Sequence, residues 1–208
     1  MTRRQQERAL RTREALLRAA AEVFDEVGYS GASITKIMDR AGLTAGAVYF
    51  HFKSKEGLAR AVINEQAADL KFPQGQAGLQ LLLDMTGYLA VEMQRNILLR
   101  AGVRLAVEQS EASLQEYSIY EWWAERFRQE LETARRDGQL LEGVDEAEFA
   151  SMLVATYTGT QIMSQISTGR ADLPGRIASM WRCLLPALAP AEVIATLTIP
   201  AGRTEVGA

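Results

Sequence analysis

Cysteine and histidine are nearly absent: Cys183 and His51 are the only ones among 208 residues. A single thiol forms no internal disulfide, which excludes a disulfide-stapled secreted scaffold and fits a reduced, cytoplasmic setting. One imidazole rules out a His-rich zinc site and any mechanism that needs two histidines in one chain. No apolar run approaches the roughly 20 residues that cross a bilayer. The Arg-rich start also lacks the apolar core of a signal peptide, so no membrane partner is expected. Paired-acid motifs, phosphate-binding loops and metal-ligand spacings are missing as well, and no catalytic residue, metal or cofactor is assigned.

What is present is ordinary for a globular protein: 48% apolar and 24% charged residues supply a core for one or two domains. The net charge of −3 conceals a split. Residues 1–60 carry 11 Lys/Arg against 7 Asp/Glu (+4), and residues 61–208 carry 12 against 19 (−7). A basic head on an acidic body predicts a polyanionic partner at one end only.

Apolar spacing is helical nearly throughout, with little strict alternation, so the fold class expected is all-α. Leu17, Ala20, Ala21, Phe24 and Val27 form one stripe, which Gly28 stops. Ser33 can cap a short helix carrying Ile34, Ile37, Met38 and Ala41, which Gly42 ends. Thr44 can cap another through His51, and Ser54 a longer one from Lys55. The stretch from Lys71 to Gly78 breaks the pattern near a domain boundary. Further helices are predicted near 78–95, 97–109, 117–137, 146–168 and 173–187, with a short one near 190–198. Breaks fall at Ser110–Ser118, Asp137–Val144, Gly169–Gly175 and Pro186–Pro190.

Helix, tight glycine turn, helix from Ser33 to His51 is the helix-turn-helix pattern, whose second helix lies in the major groove. Val48 and Phe52, four residues apart, face inward. Thr44, Ala45, Gly46 and Tyr49 then face bases and backbone, and the small residues at 45–47 allow close approach to the groove floor. Hydroxyls of Ser33, Thr35 and Thr44 stand at helix starts that favour anions. Tyr49, His51 and Lys55 add hydrogen bonds or charge, and an arm with Arg3, Arg4, Arg8 and Arg11 can follow the duplex. Such contacts position without reading sequence.

The string GYSGASITKIMDRAGLTAGAVYFHFKSKEGLA, preceded by RTREALLRAAAEVF, resembles the DNA-binding head of TetR-family repressors. The segment Tyr49–Lys55 is the most specific part of a match over about the first 65 residues. Farther on, RAGVRLAVEQ (100–109), Glu121-Trp122 and Ser179-Met180-Trp181 resemble γ-butyrolactone autoregulator receptors of filamentous actinomycetes. The resemblance implies a homodimer on a near-palindromic operator in double-stranded DNA. A small lactone, butenolide or furan-like signal would release it, and secondary metabolism would be its target. It divides the chain into a three-helix DNA-binding domain at 1–54, a helical ligand-binding and dimerisation domain at 55–199, and a disordered tail at 200–208. One position departs from the subgroup: Ala45 stands where these receptors usually carry lysine, so a methyl group meets the groove where a cation would.

By the same resemblance, Trp122 is the ligand-stacking tryptophan, and Gln66 and Thr156 reach ligand oxygens. Thr160, one turn beyond Thr156, is a further candidate. Met85, Met93, Met152 and Met163 offer adaptable lining, and Phe149–Ile166 with Ile177–Leu188 pair two subunits. Each reading has a plainer rival. His51 and Tyr49 can be surface or packing residues, Trp122 core filling, Gln66 and Thr156 self-satisfied polar groups, and the methionines core. Trp123 and Trp181 read as core or interface, and Cys183 as an inert interface residue. Two rival functions stand beside the repressor: a pseudo-receptor answering another ligand or none, and an enzyme on a helical scaffold. The acidic pI near 5.4 speaks against the pseudo-receptor, and the absent motifs against the enzyme.

Overall fold

The computed structural model describes residues 3–108 and 118–200, and among these every regular element is a helix. The predicted break at 110–118 and the tail from 201 onward lie outside the described residues, the terminal Ser118 backbone apart. The chain divides into two units, one of residues 1–70 with 96–119 and the other of 71–95 with 120–208.

The first unit begins with α1 (Arg3–Gly31), whose stripe of Leu16, Leu17, Ala20, Ala21 and Phe24 is buried. The stop expected at Gly28 is a break inside the element: φ is 70° and ψ −178° there, and helical backbone resumes to Gly31. In α2 (Ile34–Ala41) the Ser33 hydroxyl accepts from the Lys36 N–H at 3.2 Å, and the left-handed Gly42 closes the helix. α3 (Ala45–Phe52) buries Val48 and Phe52, and α4 (Lys55–Glu65) is capped by the Ser54 hydroxyl. The α3–α4 corner is tight because Gly57 has no side chain; a Cβ there would lie 2.0 Å from the Phe52 carbonyl oxygen. α6 (Ile97–Val107) packs on α1 and α4 through Leu99, Ala101, Leu105 and Ala106.

The second unit holds α5 (Leu79–Arg95), α7 (Ser118–Arg136), α8 (Glu146–Thr168), α9 (Leu173–Leu188) and the single turn α10 (Ala191–Ile194). α5 and α9 form its centre, with Leu82, Leu83, Met85 and Leu89 against Ile177, Trp181 and Leu185. Trp181, fully buried, donates its indole N–H to the Thr86 hydroxyl at 2.7 Å. That hydroxyl lies 3.0 and 2.9 Å from the carbonyls of Leu82 and Leu83, so the pair leaves no buried indole donor unmatched. From α7, the Glu130 carboxylate accepts the Gly78 N–H at 3.2 Å, and Gln139 beyond the helix accepts that of Leu79 at 3.0 Å; together they cap α5. Asp145 caps α8 by accepting from the Glu148 N–H at 2.8 Å.

Two boundaries differ from expectation. Pro186 does not end α9, which continues to Leu188. Its missing N–H falls near a helix end, and the Leu188 carbonyl finds the Leu141 N–H at 2.9 Å, so the last turn is satisfied tertiarily. The helix expected over 190–198 is one turn, 191–194. No helix of the described residues is long and apolar enough to cross a membrane.

Thr86→Val keeps the side-chain shape and leaves the buried Trp181 indole N–H without its acceptor. Unfolding is expected to become about 1–2 kcal/mol easier, read as a lower melting temperature; an unchanged melt would show the bond to be idle.

Candidate nucleic-acid interface

An eight-residue helix is too short to stand alone in water, so α3 depends on what its inner face buries. Val48 and Phe52 lie against α1, α2 and α4. Arg13 closes the underside, donating to Glu65 at 2.9 Å with its guanidinium 5.3 Å from the Phe52 ring centre. The opposite face carries Thr44, Ala45 and Gly46, all exposed, and Tyr49, 58% exposed. Thr44 occupies the N-cap position with extended backbone, yet its hydroxyl makes no cap hydrogen bond, contrary to the expected cap. That hydroxyl leaves the turn uncapped and is available for a phosphate.

Ser33 and Thr35 stand at the start of α2, Ser33 half-buried and Thr35 exposed. His51 is half-buried, edge-on to Phe50 at 4.9 Å between ring centres. Phe50 itself, 69% exposed, is a residue the sequence reading missed. Its signal was helical phase: Val48 and Phe52 facing inward turn Tyr49 and Phe50 outward, where an exposed aromatic can meet sugar or thymine methyl groups.

The head's cations divide into two sets. Arg40 on α2 is held by Glu22 and Glu26 of α1 at 3.3 and 2.9 Å, and Lys36 donates to the Gly31 carbonyl at 3.0 Å. Lys55, expected at the phosphates, donates to the carbonyls of Tyr29 and Ala32 at 3.0 and 3.1 Å and sits 4.1 Å from the Tyr29 ring centre. Those cations brace the fold. Arg3, Arg4, Arg8, Arg11 and Lys53 are exposed, Arg3 beside Glu7 at 3.4 Å, and they carry the outward positive charge. Among the described residues no cluster of three His, Cys, Asp or Glu side chains could hold a metal.

The residues expected at a small-molecule site fall in both units. Gln66, at the end of α4 in the first, is 1% exposed against Gly102 of α6. Its side-chain N–H donates to the Ile63 carbonyl at 2.9 Å, and its buried Oε1 has no partner among the described residues. In the second unit Trp122 of α7 is 46% exposed and packs edge-on to the buried Trp123, 4.8 Å between centres. Thr156 and Thr160 of α8 come together in an open groove of about 770 Å³ facing α9, whose lining does not include Trp122. The Thr156 hydroxyl donates back to the Met152 carbonyl at 2.8 Å. Met85 and Met93 are core, whereas Met152 and Met163 lie on the outer face of α8. Cys183 is exposed along the same groove.

Sequence reasoning passed over Tyr157. Its hydroxyl is buried without a hydrogen-bond partner among the described residues, and burial pushes the phenol well above its usual pKa, with the nearby Arg170 charge opposing. Its only sequence signal was its place on α8 among Leu153, Val154, Gln161 and Ser164, all buried.

A small helix held by two apolar anchors, its outer face exposed and flanked by an arginine arm, defines a helix-turn-helix DNA-binding regulator. Residues 16–62 match the model of bacterial regulatory proteins of the tetR family, and residues 76–190 that of the tetracyclin repressor-like C-terminal domain. The chain belongs to the TetR family of transcriptional repressors. It is 38% identical over 205 residues to the A-factor receptor protein of Streptomyces griseus, covering 98% of this chain and 72% of that one. The crystal structure of full-length native TylP, a TetR regulator from Streptomyces fradiae, superposes with a TM-score of 0.83 at 39% identity, over 92% of this chain and 93% of that one. A structure of a gamma-butyrolactone receptor, ArpA-like, gives a TM-score of 0.68 at 30% identity, over 90% and 92%.

Arg11→Ala is expected to weaken binding to any duplex and to lower the slope of log affinity against log salt by about 0.9. Tyr49→Phe, which removes no charge, leaves the slope unchanged. Salt titrations by fluorescence anisotropy check both, and an unaltered slope for Arg11→Ala would remove the arm from the contact set.

Proposed function

We propose that the protein is a repressor that binds a near-palindromic operator as a homodimer and leaves it when a γ-butyrolactone-type, butenolide or furan signal binds, thereby controlling secondary metabolism. The observation that carries this reading is the likeness to the A-factor receptor along nearly the whole chain, supported by likeness to a gamma-butyrolactone receptor. Ser33, Thr35, Thr44, Ala45, Gly46, Tyr49 and His51 make the DNA contacts, and Lys55 supports them from beneath while its remaining N–H can still reach a phosphate. The functional partition remains 1–54 for DNA, 55–199 for ligand and dimer, and 200–208 for the tail. The working place is the cytoplasm, at the nucleoid when operator is bound.

Dimerisation needs an apolar face, and α8 offers one: Ile166 is 81% exposed, with Met152 and Met163 along the same helix and Cys183 on α9 beside them. In a two-fold dimer these helices pair and set two copies of α3 about 34–36 Å apart, the distance between successive major grooves. A ligand that favours a different spacing lowers operator affinity by linkage, whatever path connects the sites. From the resemblance, Gln66 is a proposed ligand contact within the first unit, and Trp122, Thr156 and Thr160 are proposed contacts within the second. Tyr157 joins them, since a buried hydroxyl without a partner is a donor waiting for an oxygen.

A second reading, a pseudo-receptor answering another ligand or none, draws on Ala45 and on the Thr156 hydroxyl already bonded to its own helix. A duplex selected by the protein from a random-sequence pool, titrated with a synthetic 2-acyl-γ-butyrolactone, a butenolide and a furan, separates the two. Release by one supports the first reading, and release by none the second.

Trp122→Ala is expected to bind the selected duplex as the parent does and to resist release; lost duplex binding would make the tryptophan structural. Tyr157→Phe removes an unpartnered buried hydroxyl, so its melting temperature is expected to hold or rise, while release requires about tenfold more ligand. Unchanged ligand response would take Tyr157 out of the site.

A further inference from the structure

The break in α1 is bridged by a pair of side chains from α6 and the residue after it. In an unbroken helix the Tyr29 N–H would donate to the Asp25 carbonyl, four residues back. The ψ of −178° at Gly28 turns that N–H out of the ladder. Both halves of the displaced bond are taken up from the α6 side: Tyr29 N–H donates to Glu108 Oε2 at 2.9 Å, and Arg104 Nη1 donates to the Asp25 carbonyl at 2.6 Å. Arg104 Nε donates to Glu108 Oε1 at 2.7 Å and closes the circuit, while Arg100 adds a tie to the Asp25 carboxylate at 3.0 Å. Space is as restrictive as conformation. A Cβ on Gly28 would lie 2.8 Å from Arg104 Nη2 and 2.9 Å from Glu108 Oε2, in a backbone region that L residues rarely adopt.

Beyond the break lies the connector to the reading helices. Tyr29 stacks on Phe24, 6.1 Å between centres, and burial, with the Glu56 carboxylate adding to it, pushes its phenol pKa up to about 12. Lys55 gathers the carbonyls of Tyr29 and Ala32 from the α4 side. The connector between α1 and α2 is therefore clamped from α6 at its first N–H and from α4 at its carbonyls. Because a carboxylate fixes that N–H, a small shift of α6 along α1 separates Glu108 from Tyr29 before it disturbs the apolar contacts, which tolerate sliding better than a directional bond does.

We propose that Glu108, oriented by Arg104, is a positioning residue for DNA binding: it completes the broken turn of α1 and thereby sets the direction in which the chain enters α2 and α3. The proposal rests on α3 as the DNA-contacting helix and is independent of which ligand the protein answers.

Electrostatics makes the test decisive. Deleting an acidic side chain from a DNA-binding protein reduces repulsion and, taken alone, tightens binding. A positioning role predicts the reverse. In full-length protein, Glu108→Ala is expected to weaken binding to a duplex selected by the parent from a random-sequence pool about tenfold, with the salt slope unchanged and helical content retained. Glu108→Gln keeps an acceptor for Tyr29 N–H and loses the charge, so it is expected to fall between; it also carries the test if the alanine variant fails to fold. Hydrogen exchange at the Tyr29 amide should accelerate in the same order. Parental or tighter binding by folded Glu108→Ala, or by Glu108→Gln with an accelerated Tyr29 amide, would overturn the proposal. Parental binding to duplex reports on α3 itself, and the variant-to-parent ratio reports on Glu108.

Discussion

The burial of Val48 and Phe52 is the contact on which the DNA-binding surface depends. Two turns of helix have no independent stability, so α3 exists because those side chains leave water against α1, α2 and α4. The same burial fixes its rotation. With 48 and 52 inward, Thr44, Ala45, Gly46, Tyr49 and Phe50 have no choice but to face outward. Recognition and folding are thus two sides of one helix, and the cations that brace it, Arg13, Arg40 and Lys55, act on the fold before they act on any phosphate.

The second unit obeys a different rule. Its interior sets apolar side chains around satisfied polar ones, Trp181 with Thr86 and Arg170 with Gln161, whereas Tyr157 keeps a buried hydroxyl without a partner among the described residues. A satisfied buried pair specifies packing; an unsatisfied group costs stability and is retained where something else answers it. α8 carries both kinds of face: Leu153, Val154 and Gln161 turn inward, and Met152, Met163 and Ile166 outward. A helix apolar on two sides has two surfaces to cover, one within the chain and one beyond it.

Much of this was open to reading from the residues. The caps at Ser33, Ser54 and Asp145 and the left-handed stop at Gly42 arise from local chemistry, because each depends on atoms within four residues, and the four-residue spacing of Val48 and Phe52 marks which face of α3 can turn inward. Pro186 is carried inside a helix whose last carbonyl is met in space by the Leu141 N–H, and Thr44 holds an N-cap position without making the cap bond. Phe50 was in plain view and was passed over for its polar neighbours. Lys55 looked like a phosphate ligand in the string Ser54-Lys55-Glu56, and nothing in that string reveals two carbonyls 23 and 26 residues earlier.

The order of helices, their caps, the basic head and the outward face of α3 were therefore determined by the amino-acid sequence, since periodicity and capping act over one or two turns. Which cations brace the fold, which hydroxyl is left unanswered and how Arg104 and Glu108 mend the break at Gly28 were decided only by tertiary structure. The partners of Tyr29 and Asp25 lie about eighty residues away in the chain, and a hydrogen bond registers distance in space, to which separation along the backbone is no guide.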